Sequence, residues 1–98
     1  MDDLLLILTP TDVERMLASR LRAARKRRGW TQAEMATRSG LSIATVARME
    51  QTGQGQLSSL LHLAAALDRL RDFESLLEPT APASLEELRL QDAKGSQP

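Results

Sequence analysis

Ninety-eight residues suffice for one domain and leave little for a second. At 42% hydrophobic but with one Trp and one Phe as the only aromatics, the core must be built from Leu, Ala, Met and Val, a palette that favours helices. The lack of cysteine excludes disulfides and thiolate metal sites and suits a reducing cytoplasm. The formal charge is zero, yet it is segregated: residues 1–48 hold nine Lys or Arg against five Asp or Glu (+4), and residues 49–98 hold four against eight (−4). A neutral chain can therefore carry a basic face.

Residues 1–10 read as an N-terminal arm. Its apolar run, Leu4 to Leu8, is too short to span a bilayer, and two acids precede it where a signal peptide has basic residues. A cytoplasmic protein with no membrane partner is expected. The run could pack over the core, pair as a short strand or face a second subunit.

Thr9-Pro10-Thr11-Asp12 reads as a helix start, with cap-forming residues and an acid near the positive end of the dipole. Val13, Leu17, Leu21 and Ala24 then recur at helical spacing, with Met16 beside them. The cluster Arg25-Lys26-Arg27-Arg28 complements the C-terminal partial charge, and Gly29 ends the helix. Thr31-Gln32-Ala33-Glu34 is a capping box that opens a second helix, which runs to about Ser39 and stops at Gly40. Ser42 caps a third, to about Gln51. Gly53 and Gly55 mark a loop, Leu57, Leu60, Leu61, Ala64 and Leu67 a fourth helix, and Leu70, Phe73, Leu76 and Leu77 a short fifth, closed by Pro79. The expected organisation is thus all-α: the arm, a five-helix domain over residues 11–79 and a tail over residues 80–98. That tail has room for one helical turn at Ser84 to Leu90 before a composition typical of disorder.

The second and third helices, short and separately capped around Gly40-Leu41-Ser42, have the spacing of a helix-turn-helix. At 100° per residue, Val46 and Met49 lie on one side of the third helix. Ile43, Ala44, Ala47, Arg48 and Gln51 lie on the other. An ordinary solvated face would carry Glu and Lys. Small residues, methyl groups and one Arg are what a major-groove helix needs, the methyls for thymine and the guanidinium for guanine O6 and N7.

The run Gly29-Trp30-Thr31-Gln32-Ala33-Glu34-Met35-Ala36, followed by Gly40-Leu41-Ser42 and Thr45-Val46-Ala47-Arg48-Met49-Glu50, resembles the Cro/phage-repressor family, also called xenobiotic-response-element regulators. The resemblance covers roughly residues 13–70 and implies five helices with the third as recognition helix. It implies that Gln32 touches a phosphate and buttresses that helix, and that Ser42, Ile43, Ala44 and Arg48 reach bases or nearby phosphates. Thr45 would touch the backbone, with Arg28 adding charge from the basic cluster, and Arg25 and Glu50 would form a salt bridge tying the first helix to the third. Trp30 would anchor the junction below. Thr52 stands where the family often has Gly, and the basic residues that frequently follow are missing, so loop contacts to phosphate would fall to the amides around Gly53 to Gly55.

Nothing in the chain points to an enzyme or a cofactor. His62, the only histidine, lies off the apolar stripe, and the acid pairs Asp2-Asp3 and Glu86-Glu87 lie near the ends. The expected function is a DNA-binding transcriptional repressor, homodimeric on an inverted-repeat operator. The "TP" lead-in, "GWTQ", "ATVARME", the Leu-rich fourth helix and the Pro/Ser tail are similar to HipB-like antitoxins, which implies autoregulation beside a HipA-type kinase toxin. A stand-alone or phage-type repressor, or a helical interaction module with no DNA role, are the alternatives.

Overall fold

The computed structural model describes residues 7–80. Most of the Leu4–Leu8 run and the turn expected at Ser84 to Leu90 lie outside the described residues. Four α-helices follow one another: α1 (Pro10–Arg27), α2 (Gln32–Ser39), α3 (Ile43–Thr52) and α4 (Leu57–Ala66). A 3-10 turn, Leu70–Phe73, comes after them, and no strand occurs among the described residues.

Local hydrogen bonding sets each start. Thr9 accepts from the Asp12 amide while the Asp12 carboxylate accepts from the Thr9 amide, a capping box completed by Pro10 in the first helical position. Thr31 and Glu34 repeat the device at α2, and Ser42 caps α3 through the Thr45 amide. Gly40, with φ of 75°, ends α2, and Leu41 donates its amide back to the Ala36 carbonyl at 3.0 Å. That left-handed residue turns the chain sharply enough for α3 to begin soon after α2 ends.

The core is formed by Leu21 of α1, Met35 and Ala36 of α2, Val46 and Met49 of α3, and Leu63 and Leu67 at the far end. Val46 is completely buried, an apolar contribution of about 1.5–3 kcal/mol. α3 packs against both α1 and α2, and α4 lies against α2. The buried stripe of α4 runs through Leu63, Ala64 and Leu67; Leu57, expected in it, is 65% exposed. Leu57 sits in the first turn of α4, beyond the reach of the core.

The expected fifth helix is not formed. Leu70 to Phe73 make a single 3-10 turn and residues 74–77 further turns. Asp68 (φ 58°) and Leu77 (φ 59°) both take the left-handed conformation, which breaks a helix at either end. Leu70, Leu76 and Leu77 stay exposed, so no buried face supports so short a helix, and nucleation is not offset by packing.

Candidate nucleic-acid interface

The outward face of α3 is set by what its inward face buries. With Val46, Met49 and Glu50 turned into the protein, Ile43, Ala44, Arg48 and Gln51 are exposed and Ala47 is half-buried between them. Ile43 keeps 53% of its surface in water, which leaves its methyl groups on the outer face of the helix. Among the described residues Arg48 takes part in no ion pair, which leaves its guanidinium available.

The polar residues at the start of α3 are already organised. The Ser42 hydroxyl accepts from the Thr45 amide at 3.0 Å and lies 2.8 Å from the Thr45 hydroxyl. If Thr45 supplies the proton of that second bond, the Ser42 proton is free for a phosphate oxygen. Gln32, at the start of α2, donates its side-chain amide to Glu50 Oε1 at 3.3 Å, which fixes the side chain against α3.

Below these residues sits a buried ion pair. Arg25 donates through Nε to Glu50 Oε2 at 2.7 Å and through Nη2 to Oε1 at 3.0 Å, and its Nη1 donates to the Trp30 carbonyl at 2.7 Å. One guanidinium thus joins α1, the α1–α2 junction and α3. The hydrogen bonds to Glu50 raise the already high pKa of Arg25, against the opposing effect of burial. Among the described residues, no buried side-chain polar atom lacks a hydrogen-bond partner.

Arg28, which the basic cluster set toward DNA, has an intramolecular engagement. It donates to the Leu67 carbonyl at 2.6 Å, tying the end of α1 to the end of α4. Its guanidinium also lies 5.2 Å from the Trp30 ring centre, and Arg38 lies 4.3 Å from the same ring. Trp30 is half-buried and packs against the core, so it is an anchor of the junction. The stack with Arg38 escaped sequence reading because the two residues are eight apart and only the turn at the start of α2 brings them together.

The exit of α3 differs from the expectation. Thr52 donates its hydroxyl to the Arg48 carbonyl at 2.8 Å and accepts from the Gln54 amide at 3.0 Å. The left-handed cap falls one residue later, on Gly53, whose amide bonds to Met49. Two of the amides expected to serve phosphates, those of Gly53 and Gln54, are therefore engaged within the chain. His62 also has a local partner, its Nδ1 lying 2.7 Å from the Ser58 carbonyl. Among the described residues no group of acids and histidine is placed to hold a metal ion, and no helix is long and apolar enough to cross a membrane.

Two short helices joined by a tight turn, the second braced from behind and presenting methyls, amides and a guanidinium outward, define a helix-turn-helix. Residues 16–78, more than half of the chain, match a family model described as a helix-turn-helix domain, and the chain belongs to that family of DNA-binding domains. A comparison with curated proteins found no match.

Proposed function

We propose that the chain is a sequence-specific transcriptional repressor that lays α3 in the major groove of an inverted-repeat operator and acts as a homodimer. The exposed face of α3 carries this reading: ten residues, about 15 Å of helix, with one available guanidinium among small and methyl-bearing side chains. In this reading Arg48 binds a guanine edge, Ile43 and Ala44 meet thymine methyls, and Ser42, Thr45 and Gln32 meet phosphates. Arg28 acts mainly through the α1–α4 joint. No catalytic step is assigned to the chain.

The dimer is supported by the apolar surface after α4. Leu70, Leu76 and Leu77 are all well exposed on a domain too small to leave such residues uncovered without cost. Autoregulation beside a HipA-type kinase toxin rests on the sequence resemblance. The acidic second half lends it less support than its composition suggests, because Arg69 pairs with Asp72 and Arg71 lies 3.9 Å from Glu74. Purification of a tagged copy from its native host distinguishes the readings: a co-eluting kinase supports the antitoxin, and the homodimer alone supports the plain repressor.

The direct test selects bound duplexes from a random library, then compares wild type with Arg48→Ala on the sequence recovered. A loss of about 1–3 kcal/mol with relaxed preference at one base pair is expected. Equal affinity and an unchanged consensus would remove α3 as the reading element.

A further inference from the structure

A second site of positive charge, to which α3 contributes no lining residue, lies where the C-terminal ends of α1 and α4 meet. A cleft of about 270 Å³ opens there, lined by Ala24, Arg27, Arg28, Leu67 and Arg69. Every charged residue in its wall is an arginine.

The three guanidiniums differ in how far the chain already engages them. Arg28 is fixed from behind by the Leu67 carbonyl and the Trp30 ring. Arg69 shares a surface pair with Asp72 at 2.8 Å, both side chains at least half exposed, an interaction of the weak, water-screened kind. Arg27 is exposed and forms no ion pair among the described residues. The carbonyl ends of two helices contribute partial negative charge, which favours cations nearby but does not by itself call for three arginines to line one concavity.

We propose that this cleft binds a phosphate group, with Arg27 and Arg69 as its mobile ligands and Arg28 as the fixed one. Guanidiniums suit the role because their planar, forked donors match phosphate oxygens two at a time. The phosphate belongs either to a free phosphorylated molecule or to the backbone of bound DNA. The second source rests on the DNA-binding reading above; the first does not.

Trp30 provides the readout, since it is the sole Trp and its ring lies beside Arg28. The full chain is titrated with pyrophosphate at constant ionic strength, with chloride as the control, while Trp30 fluorescence is followed. The double variant Arg27→Gln/Arg69→Gln is titrated in parallel; it leaves Arg28 in place, and circular dichroism checks its fold. A saturable change seen in wild type and in Arg48→Ala, and at least tenfold weaker in the double variant, supports a free phosphorylated ligand. In the second arm, the salt dependence of binding to duplex DNA is measured for the same proteins. No response to pyrophosphate, with a log–log slope in the double variant shallower by about 0.9 for each phosphate it no longer neutralises, supports a backbone phosphate. If the double variant folds and matches wild type in both arms, the site does not exist. Wild type that ignores DNA yet responds to pyrophosphate would overturn the DNA-binding reading and leave this one standing.

Discussion

Arg25 of α1 grips Glu50 of α3 at two points, 2.7 and 3.0 Å, with the side chains only 10% and 4% exposed. The Trp30 carbonyl accepts from Arg25 Nη1 and the Gln32 amide donates to Glu50, so no buried polar atom of the pair is left without a partner. A buried pair of this kind adds little over an apolar replacement, but removing one partner strands a charge. Glu50→Ala should therefore cost about 3–5 kcal/mol, a large share of the roughly 5–15 kcal/mol that holds small domains folded. The combined change Arg25→Met/Glu50→Leu should recover much of that loss in urea unfolding. If the double variant is as unstable as the single, the stranded charge is not the cause. Because Arg25 has its pKa raised in the fold, its contribution is present below the ordinary arginine value and is lost only as pH rises through the still higher folded one. Mild alkali should leave it untouched.

The devices legible in sequence were those that close over three or four residues. Thr31 with Glu34 and Ser42 ahead of α3 are local hydrogen-bonding arrangements, and the bounds of α2 and α3 follow from them. The division of α3 into buried Val46 and Met49 and exposed Ile43 and Arg48 follows from 3.6-residue periodicity. Long-range features were not legible. The inward turn of Arg28 depends on Leu67, 39 residues away, and the buried Ala18 lay off the expected stripe of α1. Leu70 to Leu77 have helical spacing, but spacing cannot reveal that Leu70, Leu76 and Leu77 stay exposed while only Phe73 is half-buried.

Gly53 and Gly40 have nearly the same backbone, φ of 71° and 75°, in different surroundings. A Cβ on Gly40 would meet nothing within 4 Å, whereas one on Gly53 would collide with the Glu14 carbonyl of α1. Gly40→Ala should carry only the conformational penalty, about 1–2 kcal/mol. Gly53→Ala should exceed it by at least about 2 kcal/mol, because backbone of α1 must move and the α1–α3 packing moves with it. Urea midpoints of the two variants give the comparison directly. Equal destabilisation would mean that α1 yields at Glu14 without cost.

The start of α1 should respond to acid. Hydrogen bonds from the Thr9 amide and hydroxyl hold the Asp12 carboxyl below its ordinary 3.8, with Arg15 adding a smaller effect in the same direction. A carboxylate with a depressed folded pKa contributes fully above its unfolded value and loses that contribution as pH falls through the folded one. The Thr9 amide resonance should therefore titrate below pH 3.8, and exchange protection in the first turn should fall in the same window. Asp12→Asn should abolish the titration while leaving an acceptor in place. A Thr9 amide that titrates unchanged in that variant would point to another group.

Leu77 sets stability and association against each other. It is 94% exposed and stands at φ 59°, a conformation that costs a residue with a Cβ about 1–2 kcal/mol. In an isolated protomer, Leu77→Gly removes that strain and adds back roughly 0.5–1 kcal/mol of unfolded-chain entropy, so its stability should change little or rise. In a dimer built on Leu70, Leu76 and Leu77, the same change removes a side chain that the partner covers, and the dissociation constant should rise at least tenfold. Sedimentation equilibrium over a range of concentrations separates the two effects, with thermal unfolding at the lowest concentration reporting on the protomer. Loss of the dimer should also shrink the operator footprint from two half-sites about 34 Å apart to one. A Leu77→Gly protein that associates as tightly as wild type and protects both half-sites would place the dimer contact elsewhere. A wild type that sediments as a monomer at every concentration, and protects one half-site, would remove the dimer altogether.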